Sequence, residues 1–213
     1  VTGGTYSNGY FIYNQGNATI NDLIDTSNSD DDMYNYGGTL NLNNVDKSKS
    51  SSPVSNNNNG TINITGGSYH KYISNSSGNL NINDATINTN DNGLSNSQSG
   101  VVTINNSTIT AVNTENGTIN NEENGILKIT DSTISKTGTS RNNVRNSGIA
   151  TFDNTKFNHN ISSSYSYYNI VNNSTGDITI TGGIYNNRYF IGNYGIATIN
   201  DLVTSGSIVN SGG

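Results

Sequence analysis

GTLNLNN at residues 38–44 and GTINITG at residues 60–66 are built on one plan. A glycine and one polar residue lead into two apolar residues separated by one, Leu40 and Leu42 or Ile62 and Ile64. Alternation at period two predicts a strand with one buried face. Asn44 or Gly66 then closes the block, and these residue types suit a tight corner because they tolerate left-handed backbone angles or bond their own backbone.

Outward from this pair the same block recurs along the chain. It reads GNATIND at 16–22, GNLNIND at 78–84, GVVTINN at 100–106, GILKITD at 125–131, GIATFDN at 148–154, GDITITG at 176–182 and GIATIND at 195–201. The glycines from Gly16 to Gly195 are 22, 22, 18, 22, 25, 23, 28 and 19 residues apart. Self-similarity at such a period is the mark of a solenoid. After each corner a second short strand is expected, carrying Leu23, Val45, Tyr69, Ile87, Ile109, Ile134, Phe157, Tyr185 and Leu202. A third strand precedes each glycine and has an apolar residue, any residue, then Asn. Its asparagines are Asn14, Asn35, Asn56, Asn75, Asn96, Asn121, Asn146, Asn173 (paired with Val171), Asn193 and Asn210. One Asn per coil at one place predicts a ladder of side-chain amides bonded along the axis. Length varies mainly between the second and third strands, at Asp25–Asp32, Asp46–Pro53 and Asn158–Ser166, which are read as loops on one face.

Composition agrees with a thin core. Only 30% of the 213 residues are hydrophobic and 11% charged, so each Ile and Val must be placed economically. The net charge of −6 is too small to drive disorder in so regularly patterned a chain. Without Cys there is no disulfide framework, thiolate zinc site or Cys nucleophile. The nine Lys and Arg form no basic patch, which argues against nucleic acid as a partner. No apolar run approaches about 18 residues, so no membrane insertion is expected.

A longer repeat lies over the short one. VTGGTYSNGYFIYNQGNATINDL at 1–23 matches ITGGIYNNRYFIGNYGIATINDL at 180–202 at 16 of 23 positions, at an offset of 179 residues or eight coils. Residues 1–213 therefore read as a single solenoid segment of a longer tandem array. Neither end carries a capping element, so neighbouring coils or subunits are expected at both open ends.

Three short strands in a coil of about 22 residues, with the Gly anchor, the alternating apolar pair and the Asn corner, resemble the parallel β-helix of the pectin-lyase-like superfamily. The likeness is greatest to adhesin-like surface proteins. It implies an all-β, right-handed parallel β-helix of nine to ten coils, the hand following from the crossover rule for parallel strands. It further implies a non-catalytic extracellular module of the cell surface, a stiff rod or fibre segment that can adhere to glycans or to a host or neighbouring cell. The alternative within the same superfamily is a carbohydrate-active enzyme or a tailspike-like polysaccharide-binding β-helix.

Residues for that chemistry are scarce. Glycoside hydrolysis needs two carboxylates at a fixed spacing, and calcium-assisted elimination needs clustered carboxylates with a base. Many Asp residues fall on corners, and His70 and His159 are read as exposed and inert. Asp30, Asp31 and Asp32 read as a solvated loop tip, and Glu122 and Glu123 as surface. No catalytic residue, metal site or cofactor is assigned. The remaining signal is the 13 tyrosines. Tyr69 and Tyr185 are expected inside, whereas Tyr13, Tyr36 and Tyr194 flank the Asn corner and form the candidate glycan-stacking surface.

Overall fold

The computed structural model describes residues 1–7, 12–27, 33–51, 53–90, 92–112, 117–137, 142–160, 167–186 and 189–211. These residues contain 29 strands and no helix. The strands form three parallel sheets of nine, ten and ten members, each strand pairing with its counterparts one coil before and after. The chain is thus a parallel β-solenoid with three strands per coil.

The nine-stranded sheet runs from Asn17–Asn21 to Ile196–Asn200 and stacks in register without slippage. Leu40 lies against Ile62, Leu80 and Val102 in turn, and Leu42 against Ile64, Ile82 and Ile104. All of these are fully buried. The outward positions between them are mostly Asn and Thr, so alternation alone separates core from surface.

The corner after this sheet is left-handed in every coil. Asp22, Asn44, Asp84, Asn106, Asp131, Asn154 and Asp201 have φ between 44° and 56°, with Gly66 and Gly182 at 68° and 64°. Asp, Asn and Gly are the residues for which that region is least unfavourable. The Gly anchor has a different cause. A Cβ at Gly60, Gly100, Gly125 or Gly176 would lie 2.2–2.5 Å from a ladder amide atom, and one at Gly38, Gly78, Gly148 or Gly195 would lie 2.2–2.3 Å from the carbonyl oxygen of the preceding anchor, so these anchors are Gly because the neighbouring coil fills the space.

The second sheet, from Thr5–Tyr6 to Val203–Thr204, corrects one expectation. Leu23, Val45 and Leu202 do not stack with Tyr69 and Ile87. They sit two residues earlier, at the corner, in line with Gly67, Ala85 and Ser107. The inward column is Tyr6, Asp25, Lys47, Tyr69, Ile87, Ile109, Ile134, Phe157, Tyr185 and Thr204. From Gly16 onward each member lies nine residues after its coil's glycine. At this position two coils therefore turn a charged residue inward, and Asp25 and Lys47 belong to strands Ile24–Asp25 and Asp46–Lys47 rather than to loops.

Candidate functional site

The third sheet, Ile12–Asn14 to Ser207–Asn210, carries the ladder. Nδ2 of each asparagine donates to Oδ1 of the next: Asn14 to Asn35, Asn56, Asn75, Asn96, Asn121, Asn146, Asn172, Asn193 and Asn210, at 2.7–3.0 Å. The same Nδ2 also donates to the carbonyl of its coil's glycine, as Asn56 does to Gly60 and Asn96 to Gly100 at 2.9 Å. Polar groups this deep need partners, and here both ends of each inner amide have them. The nine bonds point one way along the axis, so each polarises the next.

One rung differs from the expectation. Asn172, not Asn173, is the ladder residue, and Ile170 rather than Val171 is its buried companion. Asn169-Ile170-Val171-Asn172-Asn173 contains the apolar-x-Asn pattern in two frames. The frame adopted sets Asn169 against Asn143, whose Nδ2 donates to Asn169 Oδ1 at 2.8 Å. Asn143–Asn146 and Asn169–Asn172 then match as Asn-apolar-x-Asn. Asn173 turns outward and donates to Ser147 Oγ at 2.7 Å.

Shorter ladders run over the outside of the nine-stranded sheet in the opposite sense. Asn63 donates to Asn41 and Asn81 to Asn63 at 2.8 Å, while Asn43 donates to Asn21 at 2.8 Å and Asn105 to Asn83 at 2.9 Å. At the corners Asn44, Asn106 and Asn154 donate to Asp22, Asp84 and Asp131 of the preceding coil at 2.9, 2.6 and 2.6 Å.

The most prominent surface feature is aromatic. Tyr13 and Tyr34 occupy the outward position of adjacent third-sheet strands, and Tyr36 lies two residues beyond Tyr34. Their rings are nearly parallel, with centroids 5.5, 6.1 and 6.2 Å apart and interplanar angles of 7–20°. Tyr13 is 59% exposed and Tyr36 39%. Gln15 Nε2 donates to the Tyr13 hydroxyl at 3.4 Å. Tyr194 is also exposed but belongs to the coil of Asn193, eight strands along the sheet from Tyr13 and roughly 40 Å away. The structure thus brings Tyr13 and Tyr36 together, adds Tyr34, and places Tyr194 elsewhere. Tyr34 was legible as the outward residue of Met33-Tyr34-Asn35, one coil above Tyr13.

Buried charge is the second feature. Asp25 and Lys47 are 1% exposed and form an ion pair. Burial raises the Asp25 carboxyl, but bonds from Lys47 and Ser27 outweigh it and hold the group below the ordinary carboxylate range. His159 is a correction, being buried rather than exposed, beside the fully buried Lys136 on the neighbouring strand. Burial and then the Lys136 charge push its imidazole down to about 4. Tyr69 and Tyr185 are inside, where burial pushes their phenols up. Glu122 and Glu123 are exposed, and Asp30–Asp32 lie outside the described residues. No group of three His, Cys, Asp or Glu among the described residues is placed to hold a metal ion. Compared with known proteins, the chain matches no family model, no curated protein and no solved structure.

Proposed function

We propose that this chain is a non-catalytic, extracellular structural and adhesive module: a stiff rod within a cell-surface protein of the adhesin-like kind, which meets neutral glycans at the tyrosine ledge. The observation that carries this reading is the unbroken inner ladder. Nine consecutive amide bonds, together with three parallel sheets, tie every coil to the next over about 45 Å. A rod fastened along its whole length suits spacing or load better than a catalytic groove, which needs irregular walls and convergent charge. Repetition of residues 1–23 at 180–202 supports a setting among further like coils. Parallel phenol rings with no charged neighbour in their column until Arg145 favour an uncharged, ring-shaped partner.

The test is a glycan and matrix-protein array probed with the whole chain and with Tyr13→Ala, Tyr36→Ala and Tyr194→Ala. Saturable binding lost in the first two and kept in the third is expected. Binding that survives both ledge substitutions removes the ledge from the reading, and depolymerisation of any arrayed polysaccharide overturns the non-catalytic assignment.

A further inference from the structure

Asp25 and Lys47 occupy inward positions that Tyr69, Ile87 and Ile109 hold in later coils. Lys47 Nζ contacts Asp25 Oδ2 and donates to Ser50 Oγ at 3.2 Å. Asp25 Oδ1 accepts two hydrogen bonds from Ser27, one from the backbone N–H at 2.9 Å and one from the hydroxyl at 2.6 Å. The two serine hydroxyls are 3.2 Å apart. All four residues are buried, at 0–1% exposure.

We propose that Lys47 and Asp25 become joined by an amide between Lys47 Nζ and Asp25 Cγ, formed once the coils have folded. Held out of water, the ion pair is poorly solvated, and amide formation abolishes both charges. The ammonium first gives one proton to Oδ2, leaving a neutral amine beside a neutral acid. The nitrogen lone pair then attacks Cγ, forming the C–N bond as electron density moves onto Oδ1. The two Ser27 donors face that oxygen and stabilise its charge, as an oxyanion hole does. A second nitrogen proton passes to Oδ2, the Cγ–Oδ2 bond breaks, and Oδ2 leaves as water. The nitrogen keeps its third proton as the amide N–H. No oxidant, reductant or further reactant is required. Adjacent strands hold the two groups in contact, which supplies the proximity such a condensation needs.

This inference does not rest on the reading of the chain as a rod or adhesive. The experiment is intact-mass measurement on the full chain, folded, incubated, then denatured. A mass one water below that of the sequence is expected, with proteolysis releasing a branched peptide that joins the segments of Asp25 and Lys47. Lys47→Arg keeps the charge and should keep the full sequence mass. Ser27→Ala should slow the loss of water by about a hundredfold, since it removes one donor to the developing oxyanion. Full sequence mass in the wild-type chain after prolonged folded incubation overturns the proposal. Loss of water that persists in Lys47→Arg does so too, because it places the dehydration elsewhere, as in a succinimide. The branched peptide is sought in the wild-type chain, so the test stands even where a variant does not fold.

Discussion

The Tyr69 hydroxyl is buried at 2% exposure and has no hydrogen-bond partner among the described residues. A buried phenol without a partner keeps its desolvation penalty with nothing to offset it. Tyr69→Phe retains the ring and removes that penalty. It should stabilise the chain by about 1 kcal/mol, seen as a rise of about 3 °C in the thermal midpoint; an unchanged or lower midpoint would mean that the hydroxyl is satisfied. The ladder behaves oppositely. Asn96 accepts from Asn75 and donates to Asn121, to the Gly100 carbonyl and to the Ile126 carbonyl. Asn96→Ala orphans several buried groups at once, and denaturant titration should show a loss of about 3 kcal/mol. Asn63 makes the same kind of amide pair on the outer face, where water replaces a lost partner. Asn63→Ala should lose under about 1 kcal/mol. Equal losses at the two sites would show that the inner ladder is no more than a surface one turned inward.

Among the elements, strand Lys156–Asn160 sets His159 against Lys136 of strand Thr133–Thr137. The folded imidazole titrates at about 4, below the ordinary 6.5 it regains on unfolding. Between these values the unfolded chain binds the extra proton, so stability is full above pH 6.5 and falls as pH drops through 6.5 toward 4. The effect is on the order of 2 kcal/mol once partial solvent screening is allowed for. Denaturant melts at pH 7 and 4.5 should show it in the wild-type chain and not in His159→Gln. This burial is not legible in the sequence, because apolar patterning cannot flag a His or Lys turned inward. Asp25 and Lys47 escape for the same reason: Leu23 and Val45 stand nearby and fit the apolar pattern better. Counting nine residues from each glycine would have found both. What hydrophobic period and corner chemistry dictate, namely the three sheets, the left-handed corners and nine of the ten ladder positions, was legible. The tenth was not, because Asn172 and Asn173 satisfy one local rule equally and only the stacking of Asn169 on Asn143 separates them. The ledge was legible in part, since outward direction follows from alternation whereas ring-to-ring contact depends on which coils are adjacent.

At the scale of the molecule each coil touches only its neighbours, so stability is close to a sum of coil and interface contributions. The Asn ladder, the left-handed corner and the glycine anchor recur once per coil, and nothing in them refers to position along the axis. A whole coil should therefore be removable. Deleting residues 79–100 joins Gly78 to Val101 and takes out one strand of each sheet, one corner and one rung. Asn75 then faces Asn121, and Ile62 and Ile64 face equivalent positions of strand Val101–Asn105. The shortened chain should retain its far-ultraviolet circular dichroism per residue and lose roughly a tenth of its unfolding free energy. Small-angle scattering should show a rod shorter by about 4.8 Å. Deleting only residues 79–89 is the informative contrast. It removes strands Asn79–Asn83 and Thr86–Thr89 but leaves Leu94–Asn96, so one coil has a rung and no walls. That chain cannot keep all three sheets in register, and it should lose cooperative unfolding and expose apolar surface to dye binding. If both deletions behave alike, the coils do not act as independent stacked units, and the ladder is held by contacts that reach beyond nearest neighbours.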